Sequence, residues 1–121
     1  KKVKKKSAIN SFQASQIYNN SKISLNILRK QNYDSHNMKT FEIPSMNGLM
    51  LTRKSRDQNS YFQENKACMM YNNNNDLVPK IKSILSNYNQ YEKIRKYGFK
   101  ISKKHSYKNR AKYILSIINR L

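Results

Sequence analysis

The chain has 121 residues, 25 of them Lys or Arg and only six Asp or Glu, for a formal net charge of +19. That length fits one domain able to bury an ordinary core. No run approaches a membrane span and no secretory hydrophobic region is present, so a cytoplasmic home is the default. The single cysteine, Cys68, excludes an intrachain disulfide, and the lack of a His or Cys cluster argues against a zinc site. The chain starts on Lys rather than Met, as a piece of something longer would.

Two readings of the charge compete. One is a basic surface that meets nucleic acid or anionic lipid. The other is compositional bias, since Lys, Asn, Ile and Tyr are abundant while Gly, Pro and Ala are scarce. Bias inflates Lys but does not account for so few acids, so some pull toward anions survives it.

In chain order, residues 1–20 form a basic N-terminal segment. It opens on the lysine run Lys1–Lys6 and ends in a tail or incomplete helix over Ser11–Asn20 carrying Phe12, Ile17 and Tyr18. Ile23–Leu28 has the branched, apolar character of a short buried strand. A polar loop, Arg29–Tyr33, follows, and Asp34, Ser35 or Asn37 can each cap a short helix starting near Ser35. Pro44 and Gly48 bracket that helix's end, and Leu49–Thr52 is a second strand. Gln58–Lys66 reads as a short helix, Ala67–Tyr71 as a third strand containing Cys68 as a buried thiol, and Asn72–Asn75 as a turn. Asp76 suits the cap of a helix over Leu77–Leu85 with Pro79 in its first turn. Helices over Asn89–Tyr97, with Gly98 as its stop, and over Tyr107–Leu121 complete the chain.

The last helix collects Ala111, Ile114, Leu115, Ile118 and Leu121 on one face and Lys108, Arg110, Lys112 and Arg120 elsewhere. Packing on the domain's own sheet is the favoured reading. Peripheral docking on an anionic membrane, at its inner face, is the alternative. Strands alternating with helices predict an α/β fold with a parallel sheet of about three short strands and a helical C-terminus. Ligands of such sheets sit at the carboxyl ends of the strands, where the Arg29–Asn37 loop lies.

Two of the scarce acids, Asp34 and Glu42, stand eight apart around that position. A helix starting near Ser35 would offer the backbone N–H groups of Ser35, His36, Asn37 and Met38 to a diphosphate. Glu42, about 12 Å further along at 1.5 Å per residue, would reach another part of the same ligand. Carboxylates accept two O–H donors from vicinal hydroxyls, so a sugar nucleotide fits such a site. The plainer reading makes Asp34 a helix cap, Glu42 a solvated helix residue, His36 a surface imidazole and Lys39 one cation among many.

The surrounding residues go further. Ser21-Lys22-Ile23-Ser24-Leu25-Asn26, then Asp34-x-His36-x-Met38-Lys39-Thr40-Phe41-Glu42-Ile43-Pro44, then Gly48-Leu49-Met50-Leu51-Thr52 resemble the C-terminal, donor-binding domain of group 1 glycosyltransferases of the GT-B fold. The likeness is closest to the branch of CgeB-type spore-maturation proteins. It continues through Phe62-x-Glu64-x-Lys66, the Asp76–Leu85 helix, Tyr97-Gly98 and His105-Ser106-Tyr107, covering residues 21–121 as a partial Rossmann-like domain.

By that resemblance, Glu42 binds the nucleotide ribose and Asp34 a hydroxyl of the donor sugar. Ser35, Asn37 and Met38 turn backbone N–H groups to the diphosphate, Lys39 supplies charge where relatives have Arg, and His36 makes a polar contact to sugar or phosphate. No residue is singled out as the catalyst. The implied activity is hexosyl transfer from a nucleotide sugar to an unknown acceptor, leaning toward retention. The diphosphate is neutralised by basic groups, with no metal and no cofactor. Met46-Asn47 stands where relatives carry Cys-Gly. The resemblance also implies an N-terminal Rossmann-like acceptor domain that these residues do not contain, so the chain alone would hold half a site and be inactive. The contrasting reading is a non-enzymatic basic module for nucleic acid or an anionic surface, with tyrosines among lysines (Tyr91, Tyr97, Tyr107, Tyr113). The absence of a recognised nucleic-acid motif argues against nucleic acid. An inactive glycosyltransferase remnant is the third possibility.

Overall fold

The computed structural model describes residues 7–121; the expected tail Lys1–Lys6 lies outside the described residues. The first element, α1 (Ser11–Asn20), has the expected bounds. A capping box fixes its start: the Asn10 side chain accepts from Gln13 N–H at 2.9 Å and the Gln13 side chain accepts from Asn10 N–H at 3.1 Å.

Three short strands follow, β1 (Ser24–Asn26), β2 (Met50–Arg53) and β3 (Met69–Tyr71). They form one parallel sheet in the order β1-β2-β3, with Ser24 opposite Met50 and Leu51 opposite Met69. Helices α2 (Lys39–Ser45) and α3 (Arg56–Tyr61) make the two crossovers, which parallel neighbours require. This is an α/β domain of partial Rossmann type. α3 is shorter than expected and starts earlier, because the Ser55 side chain accepts from Gln58 N–H at 3.0 Å and sets the cap there.

Alternation along the strands sends successive side chains to opposite faces. Met50 and Met70 join Ile43, Phe62, Ala67 and Cys68 on one side. Leu49, Leu51, Met69 and Tyr71 join Ile84 on the other. Helix α4 (Asn74–Ser86) covers this second face through Leu77, Ile81 and Ile84, and α5 (Tyr88–Ser102) adds Tyr91 and Ile94 before its end reaches the first cluster through Ile101.

Several expectations change. The cap of α4 is Asn73, not Asp76: its side chain accepts from the N–H groups of Asn75 and Asp76 at 2.9 and 3.2 Å. Asp76 instead accepts from Asn72 N–H at 3.0 Å. The earlier start leaves Pro79 inside the helix rather than in its first turn. Gly98 does not stop a helix, because α5 runs through it to Ser102. It is buried against the chain before β3, where an added Cβ would lie 2.3 Å from the Ala67 carbonyl oxygen. Glycine there answers to close approach, not to termination.

The turn from α2 into β2 shows what Met46-Asn47 achieves. Asn47 adopts φ 58°, the left-handed conformation a glycine would supply, and Gly48 N–H donates to Ile43 O at 2.9 Å to close the helix. The final helix, α6 (Tyr107–Ile118), overturns the packing expectation, since it has no buried residue. Ile114, Leu115 and Ile118 are each 56% exposed, so the apolar face lies off the sheet. No helix among the described residues is long and apolar enough to cross a membrane.

Candidate functional site

The segment between β1 and α2 wraps the carboxyl ends of β1 and β2. A 3-10 turn over Lys30–Asn32 starts it. Tyr33 then lies under the Arg53 guanidinium, 4.0 Å from its ring centroid, and Ser35 O accepts from Ser55 Oγ at 3.0 Å. Both contacts tie the segment to the end of β2 and the start of α3.

Beneath it lies a polar network in full burial. Asn26, Thr40, Thr52 and Gln58 are each at most 1% exposed. Thr40 Oγ donates to Gln58 Oε1 at 2.8 Å, and Gln58 Nε2 donates to Thr52 Oγ1 at 2.6 Å. Asn26 Nδ2 donates to Thr40 Oγ1 at 3.3 Å, while Asn37 Nδ2 donates to Asn26 Oδ1 at 2.9 Å. Buried polar atoms need such partners, and here their satisfaction fixes Asn37 above the end of β1. None of the three candidate caps takes the cap position, which is that of Met38; Asn37, one residue before it, bonds the first turn, its Oδ1 accepting from Thr40 N–H at 3.2 Å.

That cap corrects the expected helix start. α2 begins at Lys39, four residues after Ser35, and spans seven residues. The expected row of free N–H groups is not formed: Ser35 N–H donates to Asn32 O at 3.1 Å, and Asn37 N–H to Thr40 Oγ1 at 3.3 Å. Residues before Lys39 are turns, so an even helical rise between Asp34 and Glu42 does not apply.

A cavity of about 650 Å³ opens beside α2. Its lining includes His36, Asn37, Met38 and Glu42, together with Lys103, His105, Tyr107 and Arg110 from the elbow between α5 and α6. Asp34, Ser35 and Lys39 do not line it. Asp34 is exposed on the loop. Lys39 turns toward α1, its Nζ 2.9 Å from Glu42 Oε2 and 5.6 Å from the Tyr18 ring centroid. Hydrogen bonding to Tyr18 first, and to Glu42 second, raises its pKa above the ordinary lysine value. The structure therefore brings four of the seven expected residues to one cavity and leaves three outside.

His36 does not stand free. Its Nδ1 is hydrogen-bonded to Asp57 Oδ2, and its ring packs edge-on against Phe41 and Tyr61, with centroids 5.4 and 5.1 Å away. With Nδ1 engaged, Nε2 is the nitrogen left for a ligand. The aromatic group extends to His105, whose ring lies 5.6 Å from Phe41 and 5.4 Å from Tyr61. Burial first, and the Arg110 charge second, hold the His105 pKa below its usual value. The Arg110 guanidinium itself sits 4.6 Å from the Phe41 ring centroid, a cation–π geometry.

Asp57, Lys103 and Arg110 were not singled out as site residues from the sequence. Asp57 carried one available signal, as one of only six acids. Its partner stands 21 residues away, beyond any local pattern. Cys68 is a buried thiol pushed up to about 12, by burial and by the Glu64 charge. Among the described residues no group of three or more His, Cys, Asp or Glu could hold a metal ion.

No curated protein and no solved structure matches the chain. A family model described as glycosyl transferase-like matches residues 1–116, and thus includes the basic N-terminal segment as well as the sheet and the cavity. The chain belongs to this glycosyl transferase-like family.

Proposed function

We propose that the chain is the donor-binding, C-terminal part of a GT-B glycosyltransferase of the CgeB-like branch. It binds a nucleotide sugar in the cavity beside α2, with residues 21–121 forming the donor domain. The observation that carries the reading is Glu42 in the cavity wall of a glycosyl transferase-like chain, with a carboxylate oxygen to spare. Lys39 engages Oε2, which leaves Oε1 to accept the hydroxyls of a ribose.

In this reading Asn37 and Met38 border the diphosphate, and His36, steadied by Asp57, offers Nε2 to sugar or phosphate. Asp34 stands outside the cavity, so the sugar-binding role implied for it passes to His36. No metal is assigned, since cationic side chains serve the diphosphate. An acceptor domain outside these residues supplies the other wall of the cleft.

The test is calorimetric titration with a panel of nucleotide sugars, UDP-glucose among them. Losing a hydrogen bond to a charged group costs about 1.5–3 kcal/mol, so Glu42→Ala weakens the best ligand roughly tenfold to a hundredfold. Asp34→Asn leaves it within twofold. Equal affinity of wild type and Glu42→Ala sinks the reading.

A further inference from the structure

Helix α6 presents an apolar face that the domain's own core does not use. We infer that α6 is an interfacial anchor that lies on an anionic lipid bilayer, its apolar face among the acyl chains and its cations at the headgroups. This role holds whichever ligand the cavity takes.

Tyr107, Ala111, Ile114 and Ile118 recur at intervals of four and three, which puts them on one face of the helix. Leu115 and Ile117 widen that face, and all but Ala111 are large side chains left exposed. Within α6 only Ser116 is even partly buried. A helix this short is marginal in water unless packing covers such a face, so a surface beyond the described residues completes it. The start of the helix is fixed to the elbow: Ser106 Oγ accepts from Asn109 N–H at 3.3 Å, and Asn109 Nδ2 donates to Lys103 O at 2.9 Å. The charge is one-sided as well. From Lys93 to Leu121 the sequence holds no Asp or Glu. Lys103, Lys104, Lys108, Lys112 and Arg120 are exposed there, and none pairs with a carboxylate among the described residues.

Charge selects the occupant. A second copy of a chain with net charge +19 brings the same cations to the face and no acid on α6 to meet them. An anionic bilayer offers phosphates to the cations and acyl chains to the isoleucines at once. Lys108 and Lys112 each follow a residue of the apolar face, about 100° further round the helix, and so border it. Lysines at such a border keep their stems in the apolar layer and their ammonium groups among the headgroups. No helix among the described residues is long and apolar enough to cross a membrane, so α6 lies on the bilayer rather than through it. Tyr107 and Arg110 of α6 also line the cavity, so docking holds the cavity beside the headgroups.

The experiment adds vesicles of phosphatidylcholine, alone or mixed with phosphatidylserine, to the 121-residue chain and follows co-sedimentation. A chain of this charge adsorbs to any anionic surface, so the variants decide. Ile114→Ser with Ile118→Ser keeps the charge and weakens binding to mixed vesicles by about tenfold or more. Val78→Ser, at an exposed apolar side chain of α4, leaves it unchanged. Lys108→Gln with Lys112→Gln weakens it by about tenfold or more, and Lys82→Gln with Lys93→Gln, an equal loss of charge from exposed positions on α4 and α5, has the smaller effect. The chain has no Trp, so Ile114→Trp is a single reporter. Its emission moves to the blue on mixed vesicles and not on phosphatidylcholine alone, while that of Val78→Trp moves on neither. Binding that is absent in wild type, that survives the Ile114 and Ile118 changes, or that falls equally with the control variants overturns the inference. So does Ile114→Trp emission that stays red on vesicle-bound chain. A blue shift that grows with chain concentration before vesicles are added assigns the face to a second copy, and an equal shift with polyglutamate assigns it to an acidic polypeptide; either result overturns the lipid assignment. Circular dichroism confirms folding of each variant, and the lack of any buried residue in α6 keeps that risk small.

Discussion

Thr40 is the point where burial, the site loop and the sheet meet, and replacing it by the isosteric Val removes one hydroxyl and little else. Thr40 Oγ1 donates to Gln58 Oε1 at 2.8 Å and accepts from Asn26 Nδ2 and Asn37 N–H, each at 3.3 Å. Without it, Gln58 Oε1 loses its donor and Asn26 Nδ2 keeps just the long contact to Met50 Sδ at 4.0 Å, at positions where both side chains are at most 1% exposed. An orphaned buried polar atom costs about 1–3 kcal/mol, so disrupting two gives about 2–6 kcal/mol against a typical domain stability of about 5–15 kcal/mol. Thr40→Ser keeps the hydroxyl and loses one methyl, about 1 kcal/mol. The chain has no Trp, so urea unfolding followed by far-UV circular dichroism is the assay. Val must be the more damaging substitution. If Val is tolerated as well as Ser, the network does not hold the loop and the positioning of Asn37 needs another cause. Because Asn37 borders the cavity, Thr40→Val also weakens nucleotide-sugar binding more than Thr40→Ser does.

Gly98→Ala places a Cβ 2.3 Å from the Ala67 carbonyl oxygen; overpacking of about 1–3 kcal/mol exceeds the gain of about 1 kcal/mol from helix propensity, so urea unfolding shows a net loss, and stabilisation contradicts the close approach. Cys68, buried and pushed up to about 12, resists thiol reagents in the native chain and reacts once urea unfolds it; rapid native labelling contradicts its burial. The His105 pKa lies below the ordinary 6.5, so between the two values the unfolded chain binds a proton that the folded chain refuses. Stability contributed by His105 is therefore present above about pH 6.5 and falls as pH drops below it. His105→Asn removes that part of the slope in a pH series of urea melts, and an unchanged slope contradicts the burial of the ring.

The fold was legible where local chemistry decides it. Branched or methionine-rich runs form the strands, trimmed to three or four residues, with Ile23, Leu28, Leu49 and Ala67 contributing burial beyond the strand ends. What stayed hidden was tertiary. Gly98 carries the same signature whether it ends a helix or admits a neighbouring carbonyl. The apolar stripe of α6 has the period of a packed helix, yet nothing in that period says whether a surface lies opposite it. At the site, Glu42 was placed by its context, whereas Asp34 was tied to it by counting along a helix that starts only at Lys39. Asp57, Lys103 and Arg110 reach the cavity region by way of the chain's return, and no spacing in the sequence announces that.

The central claim is that this cavity holds a nucleotide sugar. Its most direct test is amide chemical-shift mapping of the isotope-labelled chain during titration with UDP-glucose and other nucleotide sugars, beside a short oligonucleotide at rising salt. The account predicts shifts confined to Asn37, Met38, Glu42 and the elbow around His105 and Arg110, with α4 undisturbed. Silence toward every nucleotide sugar, together with oligonucleotide binding that collapses as salt rises, would contradict it and leave a basic nucleic-acid module in its place.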